Sequence, residues 1–277
     1  MKRKNLIKRI CADGYLGLVL ALLYLPIFLI IIFSFSGNSY FSFKDGFSLN
    51  SYASLFDPEK NAGLLSALKY TAILAVSASV ISTIFGAFAT IGIYALNRRV
   101  KKITLVVNQL PMINSEIVMA VSLMVFFATT GISQIFPQGM TRLIISHVAF
   151  CTPYVVLSIL PRLQRMDPNM YEAALDLGAN PFSAMIRVVF PYIMPGIVSG
   201  FAMAFTLSLD DFIITQFNKG DTGIETLSTY IYEDARVKSL EPFWFAVFSI
   251  FFVVMFTLLL LINIKRNGVN TAKEAKR

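Results

Sequence analysis

Charge is scarce in this chain of 277 residues: Asp, Glu, Lys and Arg make up 14% of it. A soluble domain of this size carries roughly a quarter, so one water-facing globule is excluded. Histidine is scarcer still, with His147 alone, and neither H-E-x-x-H nor G-x-S-x-G occurs. A zinc peptidase, a serine hydrolase and a membrane-embedded enzyme with paired nucleophile and base are therefore not expected, nor is any metal site. The two cysteines, Cys11 and Cys151, fall near or inside apolar runs and imply no disulfide framework. No G-x-x-x-x-G-K-[ST] loop is present, so the chain carries no nucleotide-hydrolysing site and no cofactor of its own. A net charge of +8 would suit nucleic acid, but the basic residues lie in short clusters between apolar runs, which excludes a nucleic-acid surface.

What is abundant is hydrophobic sequence, 56% of the chain. It falls into runs of about 20 residues, the length needed to cross a bilayer as a helix. The runs are continuous rather than alternating, which favours helices over barrel strands. The expected architecture is all-α: a single transmembrane domain, 1–277, with six spans. These run at about Tyr15–Phe35, Ser66–Leu96, Ile103–Thr130, Thr141–Leu160, Tyr192–Leu209 and Phe243–Ile264. Seventeen of the 24 basic residues precede the first span, follow the sixth, or lie between spans two and three and spans four and five. The positive-inside rule then places both termini and the loop at 161–191 in the cytoplasm of a cell whose inner membrane holds the chain. The first run is read as an uncleaved span. It is too long for a signal-peptide core, and its loss would put the charge alternation out of register. Residues 36–65 and 210–242 are expected outside. The second of these holds seven acids against Lys219, Arg236 and Lys238.

Within the cytoplasmic loop, Asp167-Pro168 has the composition of a helix start, an N-cap acceptor followed by proline. Gly178 suits the left-handed residue that ends such a helix. Asn180-Pro181 repeats the start for a second short helix, and Pro191 and Pro195 bound the entry to the fifth span. Local physics thus predicts helix, glycine turn, helix. The spacing Glu172-Ala173-Ala174, three residues, Gly178, nine residues, Val188-x-Phe190-Pro191 resembles the EAA-x3-G-x9-I-x-L-P signature of ABC-importer permeases. Val188 and Phe190 replace the usual Ile and Leu. The resemblance implies a coupling helix that docks on a cytoplasmic ABC ATPase dimer. Ala173 and Ala174 would permit close approach there, Glu172 would offer a charge, and Gly178 and Pro191 would shape the turn. It further implies a second, related permease subunit, an extracytoplasmic binding protein, membrane lipid around the spans, and ATP with Mg²⁺ on the partner ATPase.

Acids within or at the mouth of spans are costly and mark candidate path residues. Glu116, in QLPMINSEIVMAVSLM, falls about 20 Å along the third span at 1.5 Å per residue, near mid-depth. Asp210 and Asp211 end the fifth span in LSLDDF; His147 is a weaker candidate. LSLDDF together with the acid of LPMINSE resembles the C-type permeases of spermidine/putrescine importers, which implies polyamine cargo. Carboxylates suit ammonium heads, and Tyr and Phe faces suit the methylene stem. Successive weak sites suit passage better than one tight site. Another cation, an amino acid or a metal chelate remains open as cargo. A separate class, the ion-coupled secondary transporter, predicts inverted repeats or spans broken near mid-membrane.

Overall fold

In the computed structural model, residues 2–36, 46–130, 135–238, 243–254 and 256–257 are described, and the regular elements among them are helices. The reason is the one that restricts membrane chains generally: without water, backbone N–H and C=O groups must pair within their own segment. In chain order the elements are α1 (Lys2–Phe33), α2 (Asn50–Ala53), α3 (Pro58–Ala95), α4 (Arg98–Ile113), α5 (Glu116–Thr129) and α6 (Met140–Gln164). They continue with α7 (Pro168–Asp176), α8 (Pro181–Ala184), a π-helical turn (Met185–Val189), α9 (Phe190–Leu209), α10 (Ile213–Asn218), α11 (Leu227–Lys238) and α12 (Phe243–Val254).

Four helical stretches are long and apolar enough to span: Gly14–Phe33, Asn61–Ala95, Met140–Gln164 and Pro181–Leu209. They correspond to the first, second, fourth and fifth expected spans. The fifth begins earlier than Tyr192, because α8 runs through the π turn into α9 without a stop. Of the sixth expected span, α12 and residues 256–257 are described, and 258–264 lie outside the described residues.

The third expected span is not one straight helix. Asn114 and Ser115 adopt extended backbone angles, ψ 151° and 147°, and α4 and α5 meet there at 104°. The polar trio Asn114-Ser115-Glu116, following Pro111, gives the backbone side-chain alternatives to the helical ladder. Glu116 consequently opens α5 and is exposed, and a depth measured along a continuous helix does not apply to it. α4 is amphipathic, with Arg98, Arg99, Lys101 and Lys102 in its first turns and no residue buried within this chain. Its start is pinned by Asn97, whose side chain accepts from the Val100 amide at 3.1 Å. Lys101 donates to the Tyr94 carbonyl at the end of α3 (3.3 Å), where a cation complements the helix dipole.

The acidic segment 210–242, expected outside, begins with packed helix rather than open loop. In its first part Ile214, Thr215 and Asn218 of α10 are fully buried, packed against α5 and α6. Asn218 donates to the Ala120 carbonyl at 3.2 Å. Further on, the Leu227 amide donates to Thr71 Oγ1 of α3 at 2.7 Å, fastening the start of α11.

The contacts fall into two compact units, Leu64–Tyr230 and a second made of Met1–Gly63 with Ile231–Arg277. In the second unit, Ser34 Oγ shares hydrogen bonds with Tyr52 Oη (2.7 Å) and Ser249 Oγ (3.4 Å). Phe35 stacks on Phe47, and Trp244 donates to Asp234 at 2.5 Å. The core of the first unit is the α6–α9 pair, around Val155, Ile159, Leu163 and Ile193. Lipid is as apolar as these side chains, so close packing rather than hydrophobic transfer joins the pair. Gly196 makes the approach possible: a Cβ there would lie 3.2 Å from the Ile159 Cα and 3.2 Å from the Ser158 carbonyl. At the other end of α6, buried Arg142 sits over the Phe127 ring, 4.7 Å from its centre, and donates to the Met124 carbonyl at 3.4 Å. Those contacts tie α6 to α5.

Candidate functional site

The loop that joins α6 to α9 folds as its sequence predicts. Asp167 accepts from the Asn169 amide at 3.0 Å, and Pro168 opens α7. At the far end Gly178 has φ +85°. Its amide donates to Leu175 O (2.9 Å) and the Ala179 amide to Ala174 O (3.0 Å). That pair of bonds is a Schellman cap. Asn180 then accepts from the Ser183 amide at 2.7 Å to start α8. The π turn follows, a feature often found at functional positions, and Pro191 lies in the first turn of α9.

Exposure sorts the side chains of this loop. Glu172, Ala173 and Gly178 are exposed, while Ala174 and Tyr171 are half-buried. Two large apolar residues flank the turn, Leu177 (89% exposed) and Phe182 (75% exposed). Reading the sequence for the signature alone misses them. Their signal was an apolar residue on each side of a polar Gly-Ala-Asn-Pro turn. The same helix also packs on the chain through Tyr171. Tyr171 and Glu172 line a cavity of about 330 Å³ with Tyr94 of α3, Leu163 and Met166 at the end of α6, and Met185 of the π turn. Tyr192 of α9 donates to Arg165 O at 3.0 Å. Tyr171 of α7 and Met185 of the π turn pack against the core cluster that includes Leu163, Val189 and Ile193.

At the other end of α9 the two aspartates part company. Asp210 is the exposed C-cap of α9, its amide bonded to Thr206 O at 3.3 Å. Asp211 is buried at 8% exposure. Its carboxylate accepts from the Ile214 amide (3.2 Å), the Thr215 amide (2.9 Å) and the Thr215 hydroxyl (2.9 Å). It also lies 3.4 Å from His147 Nε2. His147, fully buried on α6, reaches Ser208 Oγ through Nδ1 (2.8 Å) and Thr215 Oγ1 through Nε2 (3.1 Å). Adjacent acids in sequence thus have different surroundings, one open and one built into a joint. Glu116, the third acid, is exposed at the start of α5. No group of three or more His, Cys, Asp or Glu with metal-binding geometry occurs among the described residues.

With the geometry of the loop in view, residues 82–266 match the family model described as "binding-protein-dependent transport system inner membrane component". The chain belongs to that permease family. It is 32% identical to the spermidine/putrescine transport system permease protein PotC of Escherichia coli K12, over 84% of this chain and 85% of that protein. To the protein of the same name from Haemophilus influenzae it is 36% identical, over 75% and 78%. The putrescine transport system permease protein PotI of Escherichia coli K12 shares 31%, over 78% and 76%. Among solved structures, a bacterial ABC transporter involved in the import of the acidic polysaccharide alginate matches with a TM-score of 0.67, over 94% of each chain at 16% identity. That likeness supports the helical fold, while the family match makes the chain an inner-membrane permease component. The likeness also shows that the fold does not choose the cargo, since that neighbour serves an acidic polysaccharide. The broken third span, which a secondary transporter would also show, therefore belongs to a binding-protein-dependent permease.

Proposed function

We infer that this permease is one half of the membrane path of an ATP-driven importer for polyamines, spermidine and putrescine being the representative cargo. The observation that carries the cargo is the match to a spermidine/putrescine permease along 84% of this chain and 85% of its relative. The exposed acids support it. Asp210 at the end of α9 and Glu116 at the start of α5 offer carboxylates to ammonium groups, and charge-assisted hydrogen bonds of this kind are about twice as strong as neutral ones. Asp211, the next residue, is buried. An importer of anions is better served by Arg, Lys or helix N-termini at these places.

The motor contact is α7–α8. Glu172, Ala173 and Ala174 on α7, the Gly178 turn and Leu177 with Phe182 form the surface that a cytoplasmic ABC ATPase dimer grips, and Pro191 starts the helix that carries the movement onward. The ATPase binds the ATP and Mg²⁺. A second, related permease completes the path, and an extracytoplasmic binding protein delivers the polyamine. Both termini lie in the cytoplasm. Closure of the ATPase dimer draws the two coupling loops together and opens the path outward; hydrolysis resets it. The packing of Tyr171 of α7 against the core cluster and the Tyr192–Arg165 bond support a rigid-body transmission of that kind.

The test is reconstitution with the ATPase, the partner permease and the binding protein, followed by uptake of labelled spermidine in competition with putrescine, amino acids and uronate oligomers. Competition by putrescine alone is expected. Competition by amino acids or uronates in place of putrescine would remove the polyamine assignment.

A further inference from the structure

The only histidine of the chain is buried where two helices interrupt each other. α9 stops at Leu209, α10 starts at Ile213, and His147 on α6 spans the gap. Through Nδ1 it meets Ser208 in the last turn of α9; through Nε2 it meets Thr215 in the first turn of α10. Thr215 has one hydroxyl hydrogen, and that hydrogen goes to Asp211 Oδ2 at 2.9 Å. Thr215 Oγ1 is therefore an acceptor toward His147, and Nε2 carries a hydrogen. Asp211 completes the joint by capping the Ile214 and Thr215 amides. Each hydrogen-bonding group of this assembly thus has a partner, as buried polar groups require. One turn below, Cys151 of α6 donates to Ala204 O of α9 at 3.6 Å, on the same seam.

The geometry points to a division of labour in the Asp210-Asp211 pair. Asp211 and His147 are positioning residues that hold the α9–α10 joint, and Asp210, the exposed residue inside that joint, is the carboxylate that meets the cationic cargo. This rests on the proposed polyamine path through Asp210. His147 acts on the cargo only through the backbone it fixes: Ser208 is two residues before Asp210, and Asp211 is the next residue after it. A path carboxylate works as a weak site only if its place is set before the cargo arrives. A single imidazole tied to both sides of the interruption sets that place.

The experiment is a double-mutant cycle in the reconstituted complex, read as spermidine moved per ATP hydrolysed. A merely structural defect lowers assembled complex, ATP turnover and transport in proportion and leaves that ratio unmoved. Asp210→Asn is expected to lower the ratio about tenfold, the scale of one charge-assisted hydrogen bond. His147→Leu and Asp211→Asn are expected to lower it several-fold, and His147→Gln, which keeps a donor toward Thr215, to restore most of the loss. Combined with Asp210→Asn, each is expected to add nothing. Should His147→Leu fail to assemble, Ser208→Ala and Thr215→Val take its place in the cycle. A wild-type ratio for Asp210→Asn would overturn the Asp210 path and the positioning role with it. A lowered ratio for Asp210→Asn with independent, multiplying losses from His147 or Asp211 would overturn the division of labour alone.

Discussion

Gly178 offers a test in which conformation and size make opposite predictions. Its φ is +85°, and a Cβ built there meets no atom within 4 Å. Substitution therefore carries no packing cost within the permease, only the cost of placing an L-residue in the left-handed region. That cost is about 1–2 kcal/mol for a residue such as Ala. It is greater for β-branched Val, for which positive φ is a true outlier, and smaller for Asn, which visits the region readily. Paying it in the native turn, or escaping it by losing the Gly178–Leu175 and Ala179–Ala174 bonds, lowers the population of the docking-competent loop. At about 1.4 kcal/mol per factor of ten, Gly178→Ala weakens ATPase docking by at most about 5- to 30-fold. The expected order of affinity is Gly, then Asn, then Ala, then Val, measured by titrating the purified ATPase onto permease complexes in nanodiscs. Asn is larger than Ala, so size alone predicts the reverse order for that pair. Equal affinities across the series, or an order that follows side-chain volume, would refute the claim that a left-handed turn presents the docking surface.

Other consequences are more direct. Leu177→Asp and Phe182→Asp are expected to weaken ATPase co-purification at least tenfold; Leu177→Asp, at 89% exposure, is expected to leave the permease's thermal stability in detergent unchanged. Glu172→Lys, at an exposed site on α7, is expected to detach or uncouple the ATPase; co-purification and transport at wild-type levels would remove it from the contact. Gly196→Leu forces side-chain atoms against the Ile159 Cα and the Ser158 carbonyl and is expected to destabilise the α6–α9 pair by about 1–3 kcal/mol, seen as a lowered unfolding temperature. Glu116→Gln is expected to slow spermidine uptake with ATPase docking intact, and an unchanged uptake rate would take Glu116 out of the path.

What the sequence disclosed, and what it hid, follows the range of the interactions. Runs such as Gly14–Phe33 and Met140–Gln164 are legible because a bilayer demands length and continuity, both one-dimensional properties. The loop between α6 and α9 is legible because its shape is made by caps acting over two to five residues: Asp167 on Asn169, Gly178 on Leu175, Asn180 on Ser183. The break at Asn114-Ser115 escaped because hydropathy averaged over a span hides two polar residues, although Pro111 and the Asn-Ser-Glu trio were its signal. The burial of α10 escaped because Phe212-Ile213-Ile214 is too short an apolar run to read as a packed element. Nothing in the order of residues separates Asp210 from Asp211. The partner that separates them, His147, is a long way off along the chain, and its hydrogen bonds to Ser208 and Thr215 cross 61 and 68 residues. Tertiary placement alone turns one acid into part of a joint and leaves the other open.

The claim on which the rest depends is that ATP hydrolysis, passed through α7–α8, moves a polyamine across this permease. The most direct measurement is spermidine uptake into proteoliposomes with ATP supplied or withheld, and with the ATPase and binding protein present or omitted. The account predicts uptake only when ATP, the ATPase and the binding protein are all present, and its loss when Glu172 is replaced by Lys. Uptake by the permease alone, driven by an ion gradient in the absence of ATP, would contradict it.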